Sequence, residues 1–120
     1  MEEIDKILGA LASGTDARHV TRGWPGAEAE ELLPLIAVQL AGESCTARYD
    51  DVAYLMETEW YLRVFAADPA QADSIGRQAG MLMHELGYEP VFAHEEATAR
   101  VHQCIRRYRK TWETERMDEA

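Results

Sequence analysis

The residues of this chain best able to do chemistry are its four histidines, its two cysteines and two pairs of adjacent acids. His102 and Cys104 could supply an imidazole and a thiolate. If that segment is a strand, the two share a face about 7 Å apart, with no third group in view to orient the imidazole. His84 and His94 could ligate a metal with Cys104 after folding, but their spacing matches no zinc pattern. Exposed or locally hydrogen-bonded histidines, His19 among them, are the simpler expectation.

Asp50-Asp51 and Glu95-Glu96 could do acid–base work only if burial split their pKa values. Both pairs read as polar turns, where solvation keeps them ordinary. There is no GxSxG elbow, no glycine-rich phosphate loop, no HExxH and no EF-hand. The sequence therefore predicts no catalytic residue, no cofactor and no metal centre. An enzyme built on His102 or Cys104 would need a strongly perturbed group in a cleft.

Aromatic and basic residues carry more. Trp60 sits in an apolar alternation and reads as core. Trp24, in the turn Trp24-Pro25-Gly26, and Trp112, near the C-terminus, are candidates for a protein interface. So are Arg106, Arg107 and Arg109 of the basic run Arg106-Arg107-Tyr108-Arg109-Lys110. A nucleic-acid patch is the weaker reading of that run. A solvated strand edge, or pairing with acidic neighbours, suits it better.

Charge points the same way. With 22 acidic against 12 basic residues the net charge is -10, which repels nucleic acid and anionic membrane surfaces. The 120 residues are expected to form one domain over 1–120, with 113–120 a frayed polar tail. Cys45 and Cys104 form no CxxC pair, so a reducing compartment is expected. The acidic start Met1-Glu2-Glu3 is unlike a signal peptide, and no apolar run approaches membrane-spanning length.

These residues need elements to position them. Ile4, Ile7, Leu8 and Leu11 lie on one face of a helix over about 2–12, broken by Gly14. The stretch that follows reads as irregular, and Pro34 then leads a short strand, Leu35 to Leu40. From Val52 to Ala66 every second residue is mainly apolar, a period of two that predicts a long strand. Asp68 and Pro69 form a helix start, with Gln71 as capping-box partner. Ala72, Ile75, Ala79, Leu82, Met83 and Leu86 make the helical stripe of 69–86, which Gly87 ends.

Tyr88 to Phe92 reads as a strand and His94-Glu95-Glu96 as a loop. From Thr98 to Trp112 the spacing of Val101, Cys104, Ile105, Tyr108 and Trp112 favours a helix slightly over a strand. The expected class is α+β, an antiparallel sheet of about four strands flanked by two helices.

In this layout the chain resembles the tail completion proteins of long-tailed bacteriophages and prophages, also called tail terminators or minor head–tail joining proteins. The resemblance runs from the opening helix to about Lys110. It is carried by the Pro-led strand Pro34-Leu35-Ile36-Ala37-Val38, the polar stretch ending in Asp50-Asp51, and the strand Glu59-Trp60-Tyr61-Leu62-Arg63-Val64-Phe65. The helix closing on Leu86-Gly87-Tyr88 and the segment into Arg106-Arg107-Tyr108-Arg109 complete it.

The resemblance implies a virion structural protein, assembled in the host bacterial cytoplasm as a hexameric ring. Its partners would be copies of itself, the tail tube and the head–tail connector. It implies no enzymatic residues, no specific nucleic-acid binding and no membrane, and it shifts 99–109 from helix to strand. The competing reading is a small dimeric α+β domain that binds a ligand or regulates, with a pocket lined by Trp60, Tyr54 and Met83.

Overall fold

A computed structural model describes residues 3–23, 31–49, 53–97 and 101–115, with side chains over 3–23, 31–44, 55–97 and 101–112. The alternating segment becomes the middle of a sheet. In chain order the elements are α1 (Glu3–Gly14), β1 (His19–Arg22), β2 (Leu35–Tyr49), β3 (Ala53–Ala66), α2 (Pro69–Glu85), β4 (Glu89–Ala97) and β5 (His102–Glu115). The strand order is β1-β2-β3-β5-β4. The class is α+β, as expected.

Two features of the expected sheet are corrected. It has five strands rather than about four, and it is mixed, because β1 runs parallel to β2 with His19 opposite Leu35 and Arg22 opposite Val38. Beyond β1, each neighbouring pair is antiparallel. β1 had read as irregular because it is four residues long with one apolar side chain, Val20. Its backbone finds partners all the same: Arg18 N–H donates to the Pro34 carbonyl at 2.8 Å and Gly23 N–H to that of Val38 at 2.6 Å.

β2 and β4 also outrun their expected ends. β2 continues past Leu40 to Tyr49, through Ala41-Gly42-Glu43-Ser44, which had read as a connection, and β4 runs through His94-Glu95-Glu96, which had read as a loop. In both, ladder pairing with a neighbour outweighs the polar local sequence. Residues 102–115 are strand, so the helical spacing misled, and 113–115 extend β5 rather than fray.

The helices form as their caps dictate. Asp68 accepts from the Gln71 N–H at 2.8 Å with Pro69 in the first turn. At the other end Gly87 takes φ +92°, its N–H reaches the His84 carbonyl, and the Tyr88 N–H reaches that of Met83, each at 2.9 Å. No described helix is long and apolar enough to cross a membrane.

The main core lies between the helices and one sheet face. Ile4, Ile7 and Leu11 from α1 and Ile75, Ala79 and Met83 from α2 meet Ile36, Val38, Leu62, Val64, Cys104 and Tyr108. A second cluster on the opposite face joins Leu35, Ala37, Phe65 and Val101, with Leu32 and Leu33 against it. Both clusters fall in one half of the long strands. Past Leu40, Thr58 and Lys110, β2, β3 and β5 continue as a three-stranded extension, and none of its described side chains joins the core. The molecule measures 54 × 25 × 25 Å as a result.

Candidate interaction surfaces

Strand alternation decides where each candidate residue goes. Arg106, Tyr108, Lys110 and Trp112 point to the helix side of β5, and Arg107 and Arg109 to the open side. The basic run is thus not one patch. Arg107 pairs with Glu59 across the sheet, Arg109 with Glu89 at 3.1 Å and Lys110 with Glu3 at 3.4 Å. Acidic neighbours from β3, β4 and α1 neutralise three of its four cations. Arg106 has no carboxylate partner among the described residues; its Nε donates to the Cys104 Sγ at 3.3 Å.

On the open face the charges are interleaved with aromatic rings. The Phe92 ring stands edge-on to Tyr61 at 6.3 Å and stacks on His94 at 5.8 Å. The Arg107 guanidinium lies over Tyr61 at 5.3 Å. Phe92 remains 39% exposed, too open for a core residue. Its pairing opposite Arg107 in the ladder makes it part of a mixed aromatic and charged surface. Sequence reasoning missed Tyr61, Phe92 and His94 as a group. Their signal was cross-strand register, which one strand's sequence does not contain.

On the helix face the extension carries Trp112, 40% exposed, whose indole N–H donates to the Thr58 hydroxyl at 3.2 Å. That hydroxyl donates on to Glu43 at 3.1 Å. The Lys110 ammonium stands over both the Trp112 ring (5.8 Å) and the Tyr88 ring (5.4 Å). Trp112 is therefore held in a fixed pose while one side stays open. Leu40, 46% exposed, lies at the start of the extension. Trp24 lies outside the described residues, as do Asp50 and Asp51.

The candidate chemical groups are dispersed. Glu95 and Glu96 are exposed on β4 and alternate to opposite faces, and Glu96 contacts His94 at 3.3 Å. Cys104 is buried in the core. Among the described residues no three His, Cys, Asp or Glu side chains converge as a metal site would require. Of the residues expected to line a central pocket, Trp60 and Met83 are packed within the core, and the Tyr54 side chain lies outside those described.

Edges remain open as well. Among the described residues β4 pairs with β5 alone, so its outer backbone groups have no ladder partner. β1 matches just the first four residues of β2. No protein-family model and no curated protein matches the chain.

Proposed function

We propose that the chain is a structural protein of a phage or prophage virion, of the tail-completion or head–tail joining type, acting through contacts with copies of itself and with tail components. The observation that carries this reading is the three-stranded extension. It holds Trp112 and Leu40 exposed at a fixed place beyond the core, as an arm that reaches a neighbour would. Among the described residues the edge strands β1 and β4 lie at opposite ends of the strand order and pair on one side only, so a head-to-tail contact is available to every copy. Such contacts close into rings when the rotation between copies permits. The α+β layout and the order of elements support the same family resemblance. A ligand-binding domain is supported less, because its required pocket around Trp60 and Met83 is filled.

Native mass spectrometry across a concentration series tests the proposal. The expected species is a hexamer of the 13.6 kDa chain. A dimer that persists unchanged at every concentration would overturn it.

A further inference from the structure

The helix side of β4 is incompletely covered. Beside α2 a trough of about 610 Å³ opens over it, floored by Pro90, Arg106 and Tyr108 and walled by Met81. Its walls are mainly apolar, and Met81 is 69% exposed. Arg77, His84, Arg106 and Glu85 also line it, and Arg77 is already paired with Asp73 at 3.1 Å. That leaves Arg106 as the cation of the lining without a carboxylate partner among the described residues.

Two polar groups in the trough are incompletely partnered. Arg106 has no carboxylate among the described residues. The Tyr108 hydroxyl, on a residue 2% exposed, lies beside the Arg106 guanidinium and has no further hydrogen-bond partner among the described residues. Two glycines of α2 make room for them. A Cβ on Gly76 would stand 3.0 Å from the Arg106 Nε, and one on Gly80 would stand 3.1 Å from the Tyr108 hydroxyl. The guanidinium and the phenol thus lie against the backbone of α2.

We propose that this trough docks an acidic peptide segment of a partner protein. An apolar side chain seats between Met81 and Pro90, and a carboxylate accepts hydrogen bonds from the Arg106 guanidinium and the Tyr108 hydroxyl. The Arg106 charge, which no described carboxylate neutralises, selects the acid. The trough is open along its length and runs beside β4, whose outer edge is unpaired among the described residues, so an extended chain finds main-chain partners at its rim. This proposal does not rest on the virion reading, which hexamer formation tests separately.

The test is fluorescence anisotropy with a fluorescein-labelled octapeptide alternating Leu and Glu, against a control alternating Leu and Gln. The Met81 methyl resonance reports the location. The acidic peptide is expected to shift that resonance, and Arg106→Gln to weaken binding about tenfold, as loss of a charge-assisted hydrogen bond does. Met81→Ser, at a site 69% exposed where substitution costs the fold little, is expected to weaken both peptides. Equal binding of the two peptides, an unchanged affinity in Arg106→Gln, or a shift at another methionine would overturn the proposal. So would self-association of the unliganded chain that Met81→Ser abolishes, since a second copy would then own the trough.

Discussion

The indole N–H of Trp60 donates to the hydroxyl of Tyr88 at 3.1 Å, and that hydroxyl donates on to the Glu3 carboxylate at 3.2 Å. One phenol thus ties the central strand to α1. Trp60 is 5% exposed and Tyr88 2%, so water is not available to either group as a replacement partner. Tyr88→Phe strands the indole donor. The expected loss is about 1–3 kcal/mol of unfolding free energy, the penalty for an unsatisfied buried donor. A urea midpoint equal to that of the parent would refute this role for the bond.

Burial also pushes the Tyr88 phenol above its ordinary pKa of 10.0, and the Glu3 carboxylate adds to the shift. The folded state therefore favours the protonated phenol. The associated stability is complete below pH 10.0 and declines as the pH rises above it, because the unfolded chain ionises first. Alkaline titration followed by circular dichroism should show the loss of structure, and Tyr88→Phe should flatten that part of the curve. Identical alkaline profiles for the two proteins would count against it.

Gly87 carries the C-terminal cap of α2 at φ +92°. Gly87→Ala places a Cβ in the left-handed region and 3.3 Å from the Lys110 side chain. The backbone effect alone costs about 1–2 kcal/mol. Calorimetry should find a melting temperature lower by several degrees.

At the opposite end of the same helix, Asp68→Ala removes the acceptor for the Gln71 N–H. A loss of about 0.5–2 kcal/mol is expected, and Asp68→Asn should keep most of it. Guanidinium unfolding of the three proteins separates the cap from a general effect of charge, since Asn caps without one.

Trp112→Ala addresses the proposed assembly. The side chain is 40% exposed, so the monomer should lose less than about 1 kcal/mol. The hexamer should dissociate at higher concentrations than the parent's. Native mass spectrometry reads both species at once, and an unaffected hexamer would remove Trp112 from the contact.

The parts of the fold legible in sequence are those where one face is buried and the other is not. α1 and α2 each bury a single stripe, with Ile4, Ile7 and Leu11 on one and Ala72 to Met83 on the other, and β3 buries mainly one, with Trp60, Leu62, Val64 and Ala66 on it and Phe65 opposite. β5 defeats that logic. Flanked by β3 and β4, it buries Cys104 and Tyr108 on the helix face and Ile105 on the other. Ile105 lies in the ladder between Arg63 and His94. Apolar residues on both faces erase the period of two and happen to fall at helical intervals.

The candidate surfaces were legible in residue type but not in grouping. Arg106, Arg107 and Arg109 are neighbours in sequence and were read as one patch. The pleat sends Arg106 toward α2 and the other two toward Glu59 and Glu89. The trough beside α2 depends on Met81, Pro90 and Arg106 from three elements, and no local spacing links them.

The strand order has a consequence for how the chain is made. β3 pairs with β5, and α2 and β4 are synthesised between them. On the ribosome the central strand therefore emerges with β2 on one side and nothing on the other. α2 can cover its apolar face early, but its open edge must wait for β5. The β4–β5 hairpin is local and can close quickly, whereas its docking onto β3 joins distant parts of the chain and is the slow step. Until then the nascent chain displays the edge of its central strand, the interval in which premature pairing with another chain is most favourable.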